Sequence, residues 1–368
     1  MISLSEKPVL FSESRVGSFS IGTIELNRPK ALNALNTECY KLIEEKLLSW
    51  SKNPQIAAVV IESRGDKAFC AGGDVKSLAL EIKNKNYDFV KDFFSYEYFV
   101  DCLIHDYSKP IIAFAHGITM GGGLGLINGA SHRVVTESTL VAMPEVGIGL
   151  FPDVGATHFL TKCPNHFGIF MGLTGSRISA SDALAAGLAD YYIPASSLRK
   201  VMADLLHLPW QSDARVNKEI LTQYFDSLNI KAPKPQHFND YLKWEPLFGS
   251  ADYFDIYNKF SNADLNSDFM IGARTRFLSG SPTAKQVFFE ACKRHRNFNM
   301  QDVFVAEWGM AIQFSKENEF YEGVRAVLID KDGAPKWGPA AENDVCDLDR
   351  FFNCSENNIL SHKLKQIL

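Results

Sequence analysis

An α/β fold, with helices covering a mainly parallel sheet, is predicted by three features of the 368-residue sequence. The first half alternates strand-like runs, glycine-rich turns and helical patterns more than once, the order that places helices over a parallel sheet. Two of the strand-like runs, residues 57–61 and 111–115, are continuously apolar, as suits strands buried on both faces. After Gly155 the pattern turns helical, over residues 167–173, 181–186, 198–206 and 218–228.

The elements follow in order. Residues 9–11 and 17–26 are β-rich and read as a hairpin turned near Ser14 and Arg15. Asn27, Arg28 and Pro29 break the strand, and Asn36 or Thr37 caps a helix carrying Tyr40, Ile43 and Leu47, stopped at Asn53 and Pro54. Residues 68–70 form a brief strand, Gly72 and Gly73 a turn, and Asp74 the cap of a helix from Val75. Residues 83–107 are helical, with Phe93, Phe94, Phe99 and Leu103 as core candidates. The segment 183–190 leads into a short strand at 191–193. Ala232, Pro233, Lys234 and Pro235 form the clearest linker. Aromatic-rich helices follow over 238–260 and 283–292, then a long helix over 300–316. Two regions result: a core at 1–195 carrying the site, and a helical region at 196–368.

Composition excludes several classes of function. A hydrophobic content of 46% supports a substantial core, and a net charge of −5 with mixed signs gives no reason to expect nucleic acid or an anionic membrane as partner. Seven scattered cysteines without ligand-like spacing point to reduced thiols in a cytoplasmic compartment. Cys70 and Cys292 read as packing or surface thiols. The N-terminus lacks a signal or transit pattern, the ending 365–368 is not a peroxisomal address, and no apolar run reaches about 18 residues.

The chemistry concentrates between Lys109 and Gly155. Gly72 and Gly73, and Gly121, Gly122 and Gly123, both lie between a strand and a helix. They are either tight-packing glycines or backbone N–H donors for one carbonyl oxygen. The spacing does not fit a dinucleotide fingerprint. Glu145 is either a surface, cap-like group or a buried carboxylate with a raised pKa. Asp153 either caps a helix from Val154 or joins Glu145 as a base, nucleophile or orienting group. His116 reads as structural, and His132, His158 and His166 lack metal spacing. Glu97 reads on its own as solvent-facing or paired. Ser18, Ser20 and Ser138 lack the turn of a serine hydrolase.

Four ordered motifs carry a family resemblance: Leu26, Asn27, Arg28, Pro29 with Asn33, Ala34, Leu35; Ala68 through Asp74; His116 and Gly117 with the triplet at Gly121; and Met143, Pro144, Glu145. Over about residues 10–195 the chain resembles the crotonase (enoyl-CoA hydratase/isomerase) superfamily. Two further stretches, around Gly147 to Gly155 and Tyr321 to Asp332 with Pro335, Lys336 and Trp337, are similar to its acyl-CoA thioester hydrolases.

The resemblance implies a spiral of repeated ββα units with additional C-terminal helices. It implies hydrolysis of a short 3-hydroxyacyl-CoA, 3-hydroxyisobutyryl-CoA first, in valine breakdown. The thioester carbonyl would lie against the N–H groups of Gly73 and Gly122, with Glu145, Asp153 and Glu97 at substrate-site positions. Coenzyme A is then part of the substrate, no metal or redox cofactor is needed, and a homo-oligomer, trimer or hexamer, is the family analogy. Hydratases of the superfamily place a second glutamate where this chain has Gly125. That position argues against the alternative of an enoyl-CoA hydratase or isomerase. A non-catalytic acyl-CoA-binding or assembly protein is the alternative from another class.

Overall fold

The computed structural model describes residues 7–338, 348–354 and 358–365. Residues 1–6 and 366–368, which enter the targeting expectations, lie outside the described residues. The chain forms two compact units, each built from three separated segments. The first comprises Met1–Gly73, Val100–Val141 and Ser179–Pro235; the second comprises Asp74–Phe99, Ala142–Ile178 and Gln236–Leu368. This partition differs from a division at residue 195. The helix Ala214–Ser227 returns to the sheet of the first unit, where Leu221 and Phe225 join a core with Ala58, Ile112 and Val134. The first unit ends at Pro235, within the proline-containing linker.

In the first unit, β1 (Val9–Val16) and β2 (Phe19–Leu26) form an antiparallel hairpin in which Val9 faces Leu26 and Val16 faces Phe19. The turn falls at Gly17 rather than near Ser14 and Arg15. Gly17 adopts a φ of 65°, a left-handed conformation that glycine enters without cost. The chain then adds β3 (Ile56–Ser63), the brief β4 (Ala68–Cys70), β5 (Ile111–Ala115), β6 (Ile118–Met120) and β7 (His132–Val135). The main sheet runs β1-β2-β3-β5-β7 and ends on Tyr191–Tyr192. Every pairing after the hairpin is parallel. Residues Ile56 to Ile61 and all of β5 are buried, as their continuous apolar runs require.

The helix Thr37–Lys52 is capped by Asn36, whose side chain accepts from the Cys39 N–H at 2.9 Å. It buries Tyr40, Ile43, Leu47 and Trp50 at helical spacing. The helical pattern expected over 83–107 begins only at Tyr87, because Lys85 takes a φ of 59° and separates Val75–Lys83 from Tyr87–His105. Phe93, Phe94 and Phe99 are buried, whereas Leu103 is half-buried and Ile104 takes the interior position.

The second unit is helical. Phe170 packs its ring 4.8 Å from Tyr241 and 5.1 Å from Phe248, and Phe260 lies 5.5 Å from Phe277. The helix Met300–Lys316 is capped by Asn299 and buries Met300, Phe304, Glu307, Trp308 and Ala311.

One glycine of the first unit tests this packing. A Cβ at Gly123 would collide with the Cys70 carbonyl on β4. Gly123→Ala should lower the midpoint of urea unfolding by the equivalent of about 1–3 kcal/mol, the usual cost of overpacking. An unchanged midpoint would contradict the close approach.

Candidate active site

The first unit brings the two glycine turns together. β4 and β6 pair in parallel, Ala68 facing Ile118, so the turns that leave their ends are neighbours. Gly72 has a φ of 107°, and a Cβ there would lie 3.2 Å from the Met120 carbonyl and 3.6 Å from the Gly122 nitrogen. Glycine is thus required by backbone crowding as well as by conformation. Gly73 bridges to Leu35, and Leu35 N–H donates to the Gly72 carbonyl at 2.9 Å. Gly121 caps the helix Gly122–Asn128 with a φ of 51°, and Gly122 is its first residue, where a helix leaves backbone N–H groups without an intrahelical acceptor. Packing demands glycine at 72 and 123, and the same packing sets two turns of backbone side by side.

The second unit collects the carboxylates. Glu145 opens the short 3-10 turn Glu145–Ile148, which closes at Gly149 in a left-handed conformation with a φ of 74°. A Cβ at Gly149 would collide with the Glu319 carbonyl, which fixes the path of this turn. Glu145 is 6% exposed, and its Oε2 is buried with no hydrogen-bond partner. Asp153 is equally buried and does not cap a helix. The helix there, Ala156–Phe159, begins after Gly155, and Asp153 Oδ2 instead accepts from the Tyr98 hydroxyl at 2.6 Å. Glu97 and Tyr98 are both buried on the helix Tyr87–His105, which removes the solvent-facing reading of Glu97 and leaves the paired one.

Burial dominates the electrostatics. It pushes the Glu145 carboxyl well above the usual range, and the charges of Asp153 and Glu97 push it further. Burial also raises Asp153, to about 6, against the lowering hydrogen bond from Tyr98 and a backbone donor. The Tyr98 hydroxyl is itself held well above its ordinary value by burial, with the charges of Asp153, Glu307 and Glu97 adding to it. Two neighbouring acids in one buried site lose their protons in two steps that belong to the pair.

Two groups at this cluster carry no motif. Tyr98 shows in the sequence only as one aromatic beside Glu97. Glu307 is fully buried, and burial pushes its carboxyl up to about 8. The available signal is periodicity, since Glu307 shares the apolar stripe of its helix with Met300 and Phe304.

The remaining candidates have structural contacts. His116 Nε2 lies 2.7 Å from the Gly65 carbonyl, and buried His132 contacts Ser131 and Thr222. Ser138 lies 3.1 Å from the Gly117 nitrogen, whose N–H it accepts. Cys70 and Cys292 are buried, and none of the described cysteines is disulfide-bonded. Among the described residues, no group of three or more His, Cys, Asp or Glu side chains could hold a metal ion.

The pH dependence of stability follows from these shifts. A carboxyl raised in the folded state keeps its proton more tightly than the unfolded chain does, so its ionisation costs stability as pH rises. For Asp153 the loss runs from the ordinary value of 3.8 to about 6. Asp153→Asn should therefore gain thermal stability relative to the parent between those two values and level off above them. A pH-independent difference in Tm would contradict the raised carboxyl.

Comparison with known proteins shows the family. The sequence model of a family described as enoyl-CoA hydratase/isomerase matches residues 21–352. A mitochondrial 3-hydroxyisobutyryl-CoA hydrolase of Danio rerio is 37% identical over 356 residues, covering 96% of this chain and 91% of the relative. That of Xenopus tropicalis is 36% identical over 342 residues, covering 92% and 88%. Among solved structures, an enoyl-CoA hydratase from Rhodobacter sphaeroides 2.4.1 matches with a TM-score of 0.79 at 28% identity, over 94% of this chain and 97% of that one. A carnitinyl-CoA dehydratase from Mycobacterium thermoresistibile matches with a TM-score of 0.82 at 28% identity, over 94% and 96%. The chain belongs to the enoyl-CoA hydratase/isomerase family, among its 3-hydroxyisobutyryl-CoA hydrolases.

Proposed function

We propose that the chain hydrolyses 3-hydroxyisobutyryl-CoA, or a similar short 3-hydroxyacyl-CoA, to the free acid and CoA. The observation that carries this is the pair of buried carboxylates, Glu145 with an unpartnered oxygen and Asp153 held by Tyr98. Glu145 acts on the thioester carbonyl carbon, either directly or through a water molecule. In the direct route a Glu145 oxygen bonds to that carbon, the C–S bond breaks, and CoA leaves as a thiolate that takes up a proton. Water then hydrolyses the resulting anhydride and restores Glu145. In the water route Glu145 removes the proton of the attacking water. The N–H groups of Gly73 and Gly122 stabilise the oxyanion of either tetrahedral intermediate. Asp153 orients the 3-hydroxyl or the water and tunes Glu145, and Glu97 contacts substrate. No metal or redox cofactor enters this chemistry.

The solved neighbours favour hydration as the second reading, since one is an enoyl-CoA hydratase and the other a carnitinyl-CoA dehydratase. Water addition across a double bond calls for two carboxylates around one water, and Gly125 supplies none at the hydratase position. A binding protein without activity is the outcome in which no 3-hydroxyacyl-CoA releases thiol.

The same reading places the reaction in valine breakdown and the chain in a reducing cytoplasmic compartment as a trimer or hexamer. The described thiols support the reducing compartment. The named relatives are mitochondrial, so cell fractionation chooses between the two compartments, and light scattering reads the assembly. Among the described residues, no helix is long and apolar enough to cross a membrane.

Thiol release from the 3-hydroxyacyl-CoA tests the roles. Glu145→Gln should lower kcat on the order of a thousandfold, and Asp153→Asn roughly a hundredfold or more, each with KM little changed. Unchanged turnover in Glu145→Gln refutes the mechanism. Glu145 must be ionised to attack or to take a proton, so kcat/KM should rise with pH through a limb above the ordinary carboxylate value of 4.5. A limb at or below that value contradicts the burial argument. Oxygen-18 from water should enter Glu145 in the direct route and stay out of it in the water route.

A further inference from the structure

Glu307 takes no part in the chemistry proposed above, yet it is fully buried and both of its oxygens are engaged. Oε2 accepts from the Gly155 N–H at 2.6 Å. Oε1 accepts from the Thr157 N–H at 3.1 Å and from the Thr157 hydroxyl at 2.6 Å. Thr157 Oγ1 also lies 2.7 Å from His295 Nδ1. A buried carboxyl is costly unless hydrogen bonds offset its desolvation, so this acid is expected where its bonds hold something that would otherwise relax.

What they hold is the turn carrying Asp153. Val154 takes a φ of 54° and Gly155 a φ of 85°, two left-handed residues in succession. A β-branched residue in that region is strained, and strain persists only where the surroundings over-determine it. The helix Met300–Lys316 supplies those surroundings from one face, since Met300, Phe304 and Glu307 recur at helical spacing. A Cβ at Gly155 would lie 2.8 Å from Met300 Cε and 3.2 Å from Phe304 Cζ. The Phe304 ring also lies 6.0 Å from that of Tyr98, and Trp308 Nε1 donates to Ser95 Oγ at 2.8 Å. One helix therefore backs both the donor and the acceptor of the Tyr98–Asp153 hydrogen bond.

We infer that Glu307 is a positioning residue: by accepting from Gly155 and Thr157 it holds the left-handed turn that aims Asp153 at the Tyr98 hydroxyl. The inference rests on the reading of Asp153 as a site carboxylate of the thioesterase. A purely structural Glu307 would contribute equally whether or not residue 153 is an acid.

A double-mutant cycle separates the two roles. Glu307→Met keeps the side-chain length and removes both acceptors. It should lower kcat about thirtyfold or more with KM within about threefold, but lower the residual rate of Asp153→Asn by less than about threefold. Glu307→Gln keeps one carbonyl oxygen for Gly155 and should recover most of the loss. Equal losses in both backgrounds, or no loss in the parent, overturn the inference. Should Glu307→Met fail to fold, Thr157→Val, which removes only the hydroxyl, is read in the same cycle with the same two outcomes. A crystal structure of the folded Glu307 or Thr157 variant distinguishes failure of the inference from failure of the functional reading. Asp153 displaced from Tyr98, in a protein whose parent releases no thiol, supports the inference and overturns the thioesterase reading. Asp153 still at hydrogen-bond distance from Tyr98 overturns the inference whatever the activity.

Discussion

The hydrogen bond from the Tyr98 hydroxyl to Asp153, in surroundings that disfavour charge, is the interaction on which the site depends. Burial raises every carboxyl for which a shift is resolved there. Alone, burial would leave Glu145 and Asp153 competing for the same proton. The 2.6 Å bond to Asp153 breaks that symmetry, while Glu145 keeps an oxygen without a partner. A hydrogen-bond donor favours the charged form of Asp153, whereas burial acts on Glu145 with one oxygen unpartnered. Difference in environment, rather than in residue type, sets the two carboxylates apart.

The segments bearing these acids rest on helices from the end of the chain. The Ser281 N–H donates to the Val146 carbonyl at 2.8 Å, and Gly149 meets the backbone at Glu319. Gly155 meets Met300 and Phe304 and donates to Glu307. Left-handed glycines at 149 and 155 are therefore contact positions as much as turn positions. Residues after 280 belong to the construction of the carboxylate cluster, which gives a physical reason for the family match to run to residue 352.

What the sequence discloses depends on how local the cause is. The strands around Ala58 and Ile112 are legible because continuous apolar runs have few other uses, and a cap at Asn36 or Thr37 is legible because capping is decided within one turn, where the structure uses Asn36. The hairpin turn is misread by three residues, because Ser14 and Arg15 are polar enough for a turn while the conformation is decided by Gly17. The break at Lys85 is hidden, since Lys and Asn also suit the outer face of a helix. The neighbours of Asp153 leave a cap and a partner of Glu145 equally open, and the hydrogen bond that its carboxyl makes comes from Tyr98, distant in the chain. The two units interleave along the chain, so no composition shift marks them. Glu145, Asp153, Gly73 and Gly122 stand out through ordered motifs, whereas Glu307 stands in none and is visible only as an acid on an apolar helix face.

Thioester cleavage and double-bond hydration make opposite demands on this protein. The most direct measurement is a paired incubation of the purified chain with 3-hydroxyisobutyryl-CoA and with crotonyl-CoA, following free thiol in one and enone absorbance in the other. The expected result is release of CoA thiol from the first and no rapid loss of the enone in the second. Rapid loss of the enone without thiol release from the hydroxyacyl thioester would contradict it.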